Sequence, residues 1–328
     1  MKDLSREISA RYGFSELEIQ PLEDGNQMLF DIQYRQDGQY KRAILRHYFE
    51  WVDRKDVEAE TAWLKAIATD TDLLVPYPIA ATDGTFLQEI SLNSDSDLGI
   101  AVLQAWLPGE KLAENISPNR IWEVGRVLAC LHNHSASAMD WDCVSSRRQG
   151  FEVWVDDWSG ANDVAADAGP VLETAARIVS AMMQSLFVES QLCGFIHCDP
   201  HPWNILVDGN QLAIIDFSDC GWGPHAYDIA SALVYYKYPW VWDKEPSFDY
   251  PELEAALLAG YGTERRIPEN LGQALPICFA ARLLVLVQWI LDVLEDVDAT
   301  TFTRKSVANS IGHLRQFCRD NGGHDPGD

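Results

Sequence analysis

Three polar side chains in one short segment have the types and spacing that phosphoryl chemistry requires. Asp199 and Asn204 share a polar loop, and Asp216 follows a little downstream. The loop leaves one apolar run, Gly194-Phe195-Ile196, and enters another, Ile205-Leu206-Val207. Asp208-Gly209-Asn210 then turns the chain into Leu212-Ala213-Ile214-Ile215, which ends at Asp216. An Asp-Gly turn between apolar runs predicts a hairpin, which would bring Asn204 and Asp216 to one end of two strands, near Asp199. Mg²⁺ takes oxygen ligands and leaves part of its shell to nucleotide phosphates. Asp216 supplies an anionic oxygen and Asn204 a neutral one, which avoids overcharging the ion. Asp199 then remains to take the proton of an incoming hydroxyl. The plainer alternative is a polar turn that only caps two buried strands. His197, Cys198 and His201 in the same loop also raise a metal reading, but Pro200 and Pro202 prevent the helix that would turn both histidines toward one ion. Cys198 reads as a small apolar filler.

The elements around this segment change character along the chain. Short runs of aromatic and branched residues predict strands over 17–22, 28–34 and 40–48, with Asp24-Gly25 and Asp37-Gly38 as turns. Val57, Trp63, Leu64 and Ile67 have helical spacing within 56–68. Three further strands are expected over 77–81, 85–90 and 99–105. Beyond residue 106 the pattern is mostly helical. Ser117 and Pro118 start a helix with Ile121, Val124, Gly125, Leu128 and Leu131 as its buried stripe. His132 and His134 at its end read as packing and capping groups. Further helices are expected over 171–193, 226–235, 251–260, 277–294 and 303–317. The fold class expected is α+β, with a β-rich N-terminal lobe over 1–105 and a mostly helical C-terminal lobe over 106–328.

Bulk properties narrow the setting. The chain has 328 residues, 47% hydrophobic and 23% charged, enough for two ordinary cores. Fifty acidic against 25 basic residues give a net charge of −25, which repels phosphate backbones and argues against a nucleic-acid partner. Seven scattered cysteines without C-x-x-C spacing fit a reducing cytoplasm. The first eleven residues have no apolar run of the signal-peptide kind. The longest apolar stretch, 283–291, is broken by Gln288 and bounded by Arg282 and Asp292, short of the ~20 residues that span a bilayer. A soluble protein with no membrane partner is expected.

The run from His197 through Asp199 to Asn204, followed by Ile215-Asp216-Phe217, resembles the catalytic and metal-binding loops of the aminoglycoside phosphotransferase and choline kinase family. These loops are variants of the kinase signatures. The likeness continues through Asp219-Cys220-Gly221-Trp222-Gly223-Pro224-His225-Ala226-Tyr227-Asp228 and extends in order from about residue 17 to 294. The resemblance implies a protein-kinase-like, two-lobed fold and an enzyme that uses ATP and Mg²⁺. It also implies Asp199 as catalytic base, Asn204 and Asp216 as metal ligands, and His197 and Asp228 as braces of the loop. Glu23 to Met28 is similar to the family's nucleotide-covering loop, which makes Gly25 and Asn26 nucleotide-binding candidates. Arg46 stands where the family often has a phosphate-pairing lysine; it keeps the charge but not the compact ammonium. Glu60 is its implied partner. Residues 102–106, with Gln104 and Trp106, resemble the hinge whose backbone meets adenine.

The acceptor implied is a hydroxyl on a small, amine-bearing molecule. Trp154, Asp156, Asp157 and Trp158 before the loop, and Trp222, Tyr235, Tyr236, Trp240 and Trp242 after it, could cage an ammonium or equally build a core. Two alternatives remain open at this point. A protein Ser/Thr kinase is disfavoured by the lack of an A-P-E-type segment. A non-catalytic nucleotide-binding pseudokinase finds support only in Arg46.

Overall fold

The computed structural model describes residues 2–22, 28–49, 52–92, 98–137, 158, 161, 168–187, 192–241, 248–296 and 301–322. Gly25 and Asn26 lie outside the described residues, as do Trp154, Asp156, Asp157 and Trp242. The chain divides into two compact units. One comprises the described residues up to Glu110 together with Ile205–Ser218; the other holds those of Lys111–Ser137, 158–204 and Asp219 onward.

The first unit is built on a five-stranded antiparallel sheet, in the order β1-β2-β3-β5-β4. Its strands are β1 (Ser15–Leu22), β2 (Met28–Gln36), β3 (Gln39–Tyr48), β4 (Leu87–Ser91) and β5 (Leu98–Ala105). The register pairs Ile32 with Ala43 and Leu45 with Leu103, so alternate residues line one buried face. An N-terminal helix, α1 (Lys2–Tyr12), covers that face with Leu4, Ile8 and Tyr12. The sequence reading has no helix there. The three buried residues lie at i, i+4 and i+8 among charged neighbours, a stripe only one residue wide.

Helix α2 (Arg54–Asp70) begins where the Asp53 carboxylate accepts the Lys55 amide at 2.9 Å. Val57, Trp63, Leu64 and Ile67 are buried along it, as their spacing predicts, and Glu60 is turned inward with them. Residues 77–81 form no strand. Pro78 makes an isolated bridge to Gln104, flanked by Ile79 N–H to Leu103 O and Ala105 N–H to Tyr77 O. Pro76 and Pro78 have no N–H to donate, so a ladder cannot extend along this edge. The expected hairpin is present: β8 (Ile205–Asp208) pairs with β9 (Gln211–Ile214), matching Ile205 with Ile214. The Ile214 amide also donates to Leu74 O, and Phe217 packs edge-on against Trp63 at 5.3 Å, so this hairpin joins the first unit.

The border between the units falls within the two-residue strand β6 (Glu110–Lys111). In the second unit, α3 (Pro118–Ser137) crosses α6 (Tyr250–Glu264) closely because a glycine on each helix faces a backbone carbonyl of the other. A Cβ added at Gly260 would lie 1.8 Å from the Trp122 carbonyl oxygen, and one at Gly125 would lie 1.9 Å from that of Leu257. Strand β7 (Cys193–Ile196) pairs antiparallel with β10 (Gly221–Pro224). Cys193 therefore begins a strand and does not end the helix expected over 171–193; that helix, α4 (Ala168–Leu186), stops earlier. Helix α5 (His225–Lys237) is buried from His225 through Tyr236. It packs on α7 (Leu271–Asp296), which also meets α4 and α8 (Thr301–Asp320).

Helix α7 is longer and more apolar than the 283–291 stretch suggests. Leu271–Leu291 is long and apolar enough to cross a membrane by length and composition, and 67% of it is buried within the protein.

Candidate active site

Alternation along β3 decides which of its side chains meet α2. Ala43 and Leu45 point into the sheet's core, so Arg46 and Tyr48 cannot share one face with Leu45; Tyr48 packs with Val57 of α2. Arg46, 4% exposed, extends Nη1 to Glu60 Oε1 at 3.3 Å and Nη2 to Asp216 Oδ1 at 2.5 Å. The Tyr48 hydroxyl donates to the other Glu60 oxygen at 3.0 Å. Burial by itself would favour loss of the Arg46 proton. The carboxylates of Asp216 and Glu60, with the Tyr48 oxygen beside them, outweigh it and hold Arg46 well above its ordinary value. One buried guanidinium thus joins two carboxylates that are far apart in sequence.

Asp216 is fixed from its own side as well. The Ser218 hydroxyl donates to Oδ1 at 2.8 Å, and the backbone adopts φ 61°. A side chain in this left-handed region costs energy unless its surroundings hold it, and such residues gather at functional sites. Cys198, next to Asp199, does the same at φ 70°.

The loop bearing Asp199 is braced from beneath. Asp228 on α5 is fully buried and accepts the His197 amide at 3.0 Å and the Cys198 amide at 2.7 Å. His132 Nε2 lies 3.0 Å from Asp228 Oδ2, while its Nδ1 lies 2.9 Å from the Tyr261 hydroxyl. Burial lifts the Asp228 carboxyl to about 6, against the opposing pull of His197 and the two amides. Burial also lowers His132 to about 3.

Within the loop, Asn204 Nδ2 donates to the Asp199 carbonyl at 3.0 Å, which leaves Oδ1 as the amide's acceptor atom. The Asp199 side chain is in contact with two donors. Arg282 Nη2 donates to Oδ1, and His201 Nε2 lies 3.5 Å from Oδ2. Aromatic rings collect beside it: His201, Trp203 and Tyr235 meet edge-on with centroids 5.3 to 5.7 Å apart.

The sequence-derived candidates therefore fall in two groups. Arg46, Glu60 and Asp216 meet in the first unit; Asp199 and Asn204 share one loop of the second. Gln104 is buried in β5. Leu103 O and Ala105 N–H on either side of it are engaged by residues 77–79. Trp106 follows β5, its ring stacked 3.3 Å from the Arg42 guanidinium, which is itself paired to both Asp31 oxygens. His201 accepts the Trp203 and Asn204 amides at Nδ1 in a non-helical loop.

Arg282 is the contact that sequence reading missed. A single charge in the middle of an apolar helical run was the available signal, since such a charge must find an anion when buried. Tyr48 and Ser218 carried no comparable signal.

Comparison with known proteins follows the same lines. A family model described as the phosphotransferase enzyme family matches residues 18–271. Comparison with curated protein sequences gives no match. Solved structures of similar fold include a microcompartment-associated aminopropanol kinase, at 21% identity and TM-score 0.76, covering 99% of each chain. The amicoumacin kinase hAmiN in complex with AMP-PNP, Ca²⁺ and Ami is similar at 16% identity and TM-score 0.77, covering 95% of this chain and 92% of that one. A choline kinase from Cryptosporidium parvum matches at 15% identity and TM-score 0.63, covering 98% and 97%. With a two-lobed, kinase-like fold and a family match across most of its length, the chain belongs to the phosphotransferase enzyme family.

Proposed function

We propose that this protein is an ATP- and Mg²⁺-dependent kinase that transfers the γ-phosphoryl group to a hydroxyl on a small, amine-bearing molecule. The observation that carries this reading is the Arg46 guanidinium, buried and shared between Glu60 and Asp216. A fixed cation tied to a helix carboxylate is what a nucleotide's phosphates need for orientation. In this reading Trp106 and the residues after it offer backbone to the purine, because the backbone at Leu103 and Ala105 is already engaged. Gly25 and Asn26 belong to the phosphate-covering loop.

The donor set suits Mg²⁺. Asp216 offers carboxylate oxygen, and Asn204 an amide oxygen whose NH₂ is already committed to the loop. When bound, the ion would neutralise phosphate charge. Asp199 accepts the proton of the acceptor hydroxyl, and Asp228 holds the Asp199 loop through two backbone amides. Support for an amine-bearing acceptor comes from similar folds named for aminopropanol, choline and ethanolamine kinases. The His201, Trp203 and Tyr235 rings are surfaces of the kind that receive an ammonium.

The test is ADP release over an acceptor panel of aminopropanol, ethanolamine, choline, homoserine, aminoglycosides, glycerol as an amine-free alcohol, and a generic protein. Turnover confined to amino alcohols or amino sugars supports the reading. Preferential phosphorylation of protein, or turnover only with amine-free alcohols, would refute the acceptor class.

A further inference from the structure

A guanidinium buried in the middle of an apolar helix requires an anion, and on α7 that anion is the Asp199 carboxylate. Arg282 lies between Ala281 and Leu283, both fully buried, and is itself 4% exposed. Its Nη2 donates to Asp199 Oδ1, and Tyr227 and Tyr235 lie against the same guanidinium. Its Nε has no hydrogen-bond partner among the described residues, and Asp199 is the largest of the contributions that favour its charged form. Burial opposes the charge, but Asp199, with smaller contributions from Tyr235, Tyr227 and Asp219, outweighs it and holds Arg282 above the ordinary arginine value.

The second carboxylate oxygen is treated differently. His201 Nδ1 accepts the Trp203 amide at 3.2 Å and the Asn204 amide at 3.1 Å. Nδ1 is therefore occupied as an acceptor, and Nε2 is the ring nitrogen that faces Asp199. Nε2 stands 3.5 Å from Oδ2, beyond a good hydrogen bond. Oδ1 is held firmly and Oδ2 loosely.

Resting on the phosphotransfer reading above, we infer that Arg282 is a positioning residue that pins Asp199 through Oδ1 and so reserves Oδ2 for the acceptor hydroxyl. As the acceptor oxygen bonds to the γ-phosphorus, its proton passes to Oδ2. The bond from that phosphorus to the β,γ-bridging oxygen breaks, and ADP leaves with the electron pair. A carboxylate free to rotate would present Oδ2 correctly only part of the time, and misplacement of a reacting group by about 1 Å can cost about 10²-fold in rate.

The experiment is a double-mutant cycle between Asp199→Asn and Arg282→Met, read both in turnover and in thermal unfolding, with Arg282→Lys as the conservative variant. Arg282→Met is expected to lower kcat about 10²-fold with the KM values for MgATP and acceptor nearly unchanged. Arg282→Lys should recover part of that loss. In the Asp199→Asn background, Arg282→Met should cost only a few-fold, because the residue it acts through is already disabled. Equal losses in both backgrounds would overturn the inference, since a structural arginine acts independently of the base. A rise confined to the acceptor KM would overturn it too, and would make Arg282 a binding group. Turnover by the wild type separates this failure from failure of the function, because uncoupled losses in a protein that still phosphorylates an acceptor leave the function standing. Coupled melting temperatures in a protein that turns over no acceptor would leave an ion pair of purely structural use, and both readings would fall together.

Discussion

Asp199 and Asp216 are both aspartates near a guanidinium, yet their surroundings suit them to different work. Asp216 shares Oδ1 between Arg46 and Ser218, whereas Asp199 contacts Arg282 through one oxygen and His201, more loosely, through the other. If Asp199 is the base, Asp199→Asn keeps an acceptor oxygen for Arg282 but cannot take a proton at neutral pH. Turnover should fall roughly 10²–10⁴-fold, while MgATP affinity by calorimetry stays as in the wild type. A matching loss of affinity would move Asp199 into the nucleotide site. Arg46 makes a separable prediction. Arg46→Lys keeps a charge between Glu60 and Asp216 and should retain substantial activity. Arg46→Met leaves buried Glu60 without its cation, which typically costs about 3–5 kcal/mol, and should also raise the KM for ATP. Urea denaturation and ATP titration of the two variants check both parts; two wild-type-like variants would remove Arg46 from the site.

The two crossing helices α3 and α6 have a different role, because α3 also carries His132, which lies against Asp228 beneath the Asp199 loop. Their approach depends on Gly125 and Gly260, where each glycine faces the carbonyl of the opposite helix at a distance no Cβ could share. Gly260→Ala must therefore push the helices apart, and overpacking of this kind costs typically about 1–3 kcal/mol. Chemical denaturation should register that loss, and turnover should fall with it as His132 shifts. Gly272→Ala is the matched control, since an added Cβ there meets nothing within 4 Å. Equal stability of the two variants would mean that the crossing adjusts without cost.

At the scale of the whole molecule, pH reports on the histidines sealed in the helical unit. His225 stacks on His132 with centroids 4.3 Å apart and is 1% exposed. Burial, then His132 and Arg265, push His225 far below the ordinary histidine value. A histidine lowered on folding binds fewer protons than in the unfolded chain. Its stabilising contribution is complete above about 6.5, the unfolded value, and is lost as pH falls. Asp228, raised to about 6, has the opposite sign: its contribution is present below the ordinary carboxyl value and is lost as pH rises toward 6. His225→Phe isolates the histidine effect. Between pH 6 and 4.5 its unfolding free energy should decline less steeply than the wild type's, by roughly 1.4 kcal/mol per pH unit. Urea unfolding across that range measures the slope, and parallel slopes would show that His225 is not held neutral.

Much of this was readable before any coordinates. The β-rich then helical order, the hairpin across Asp208-Gly209 and the buried stripe of α3 follow from periodicity and turn chemistry, which are local and written in neighbouring residues. Residue types and spacing also nominated Asp199, Asn204 and Asp216, and the family resemblance added Arg46 and Glu60. Local pattern was weaker where the buried face was narrow, as in α1, or where proline removed the donors, as at Pro76 and Pro78. Only the tertiary structure decided the pairings. Arg46 meets Asp216 across 170 positions, and Arg282 meets Asp199 across 83. A lone charge in an apolar helix announces that it needs a partner, but any of 50 acidic residues could answer. Which one does is settled by how the helices pack, because burial makes the pairing obligatory while leaving its address to the fold.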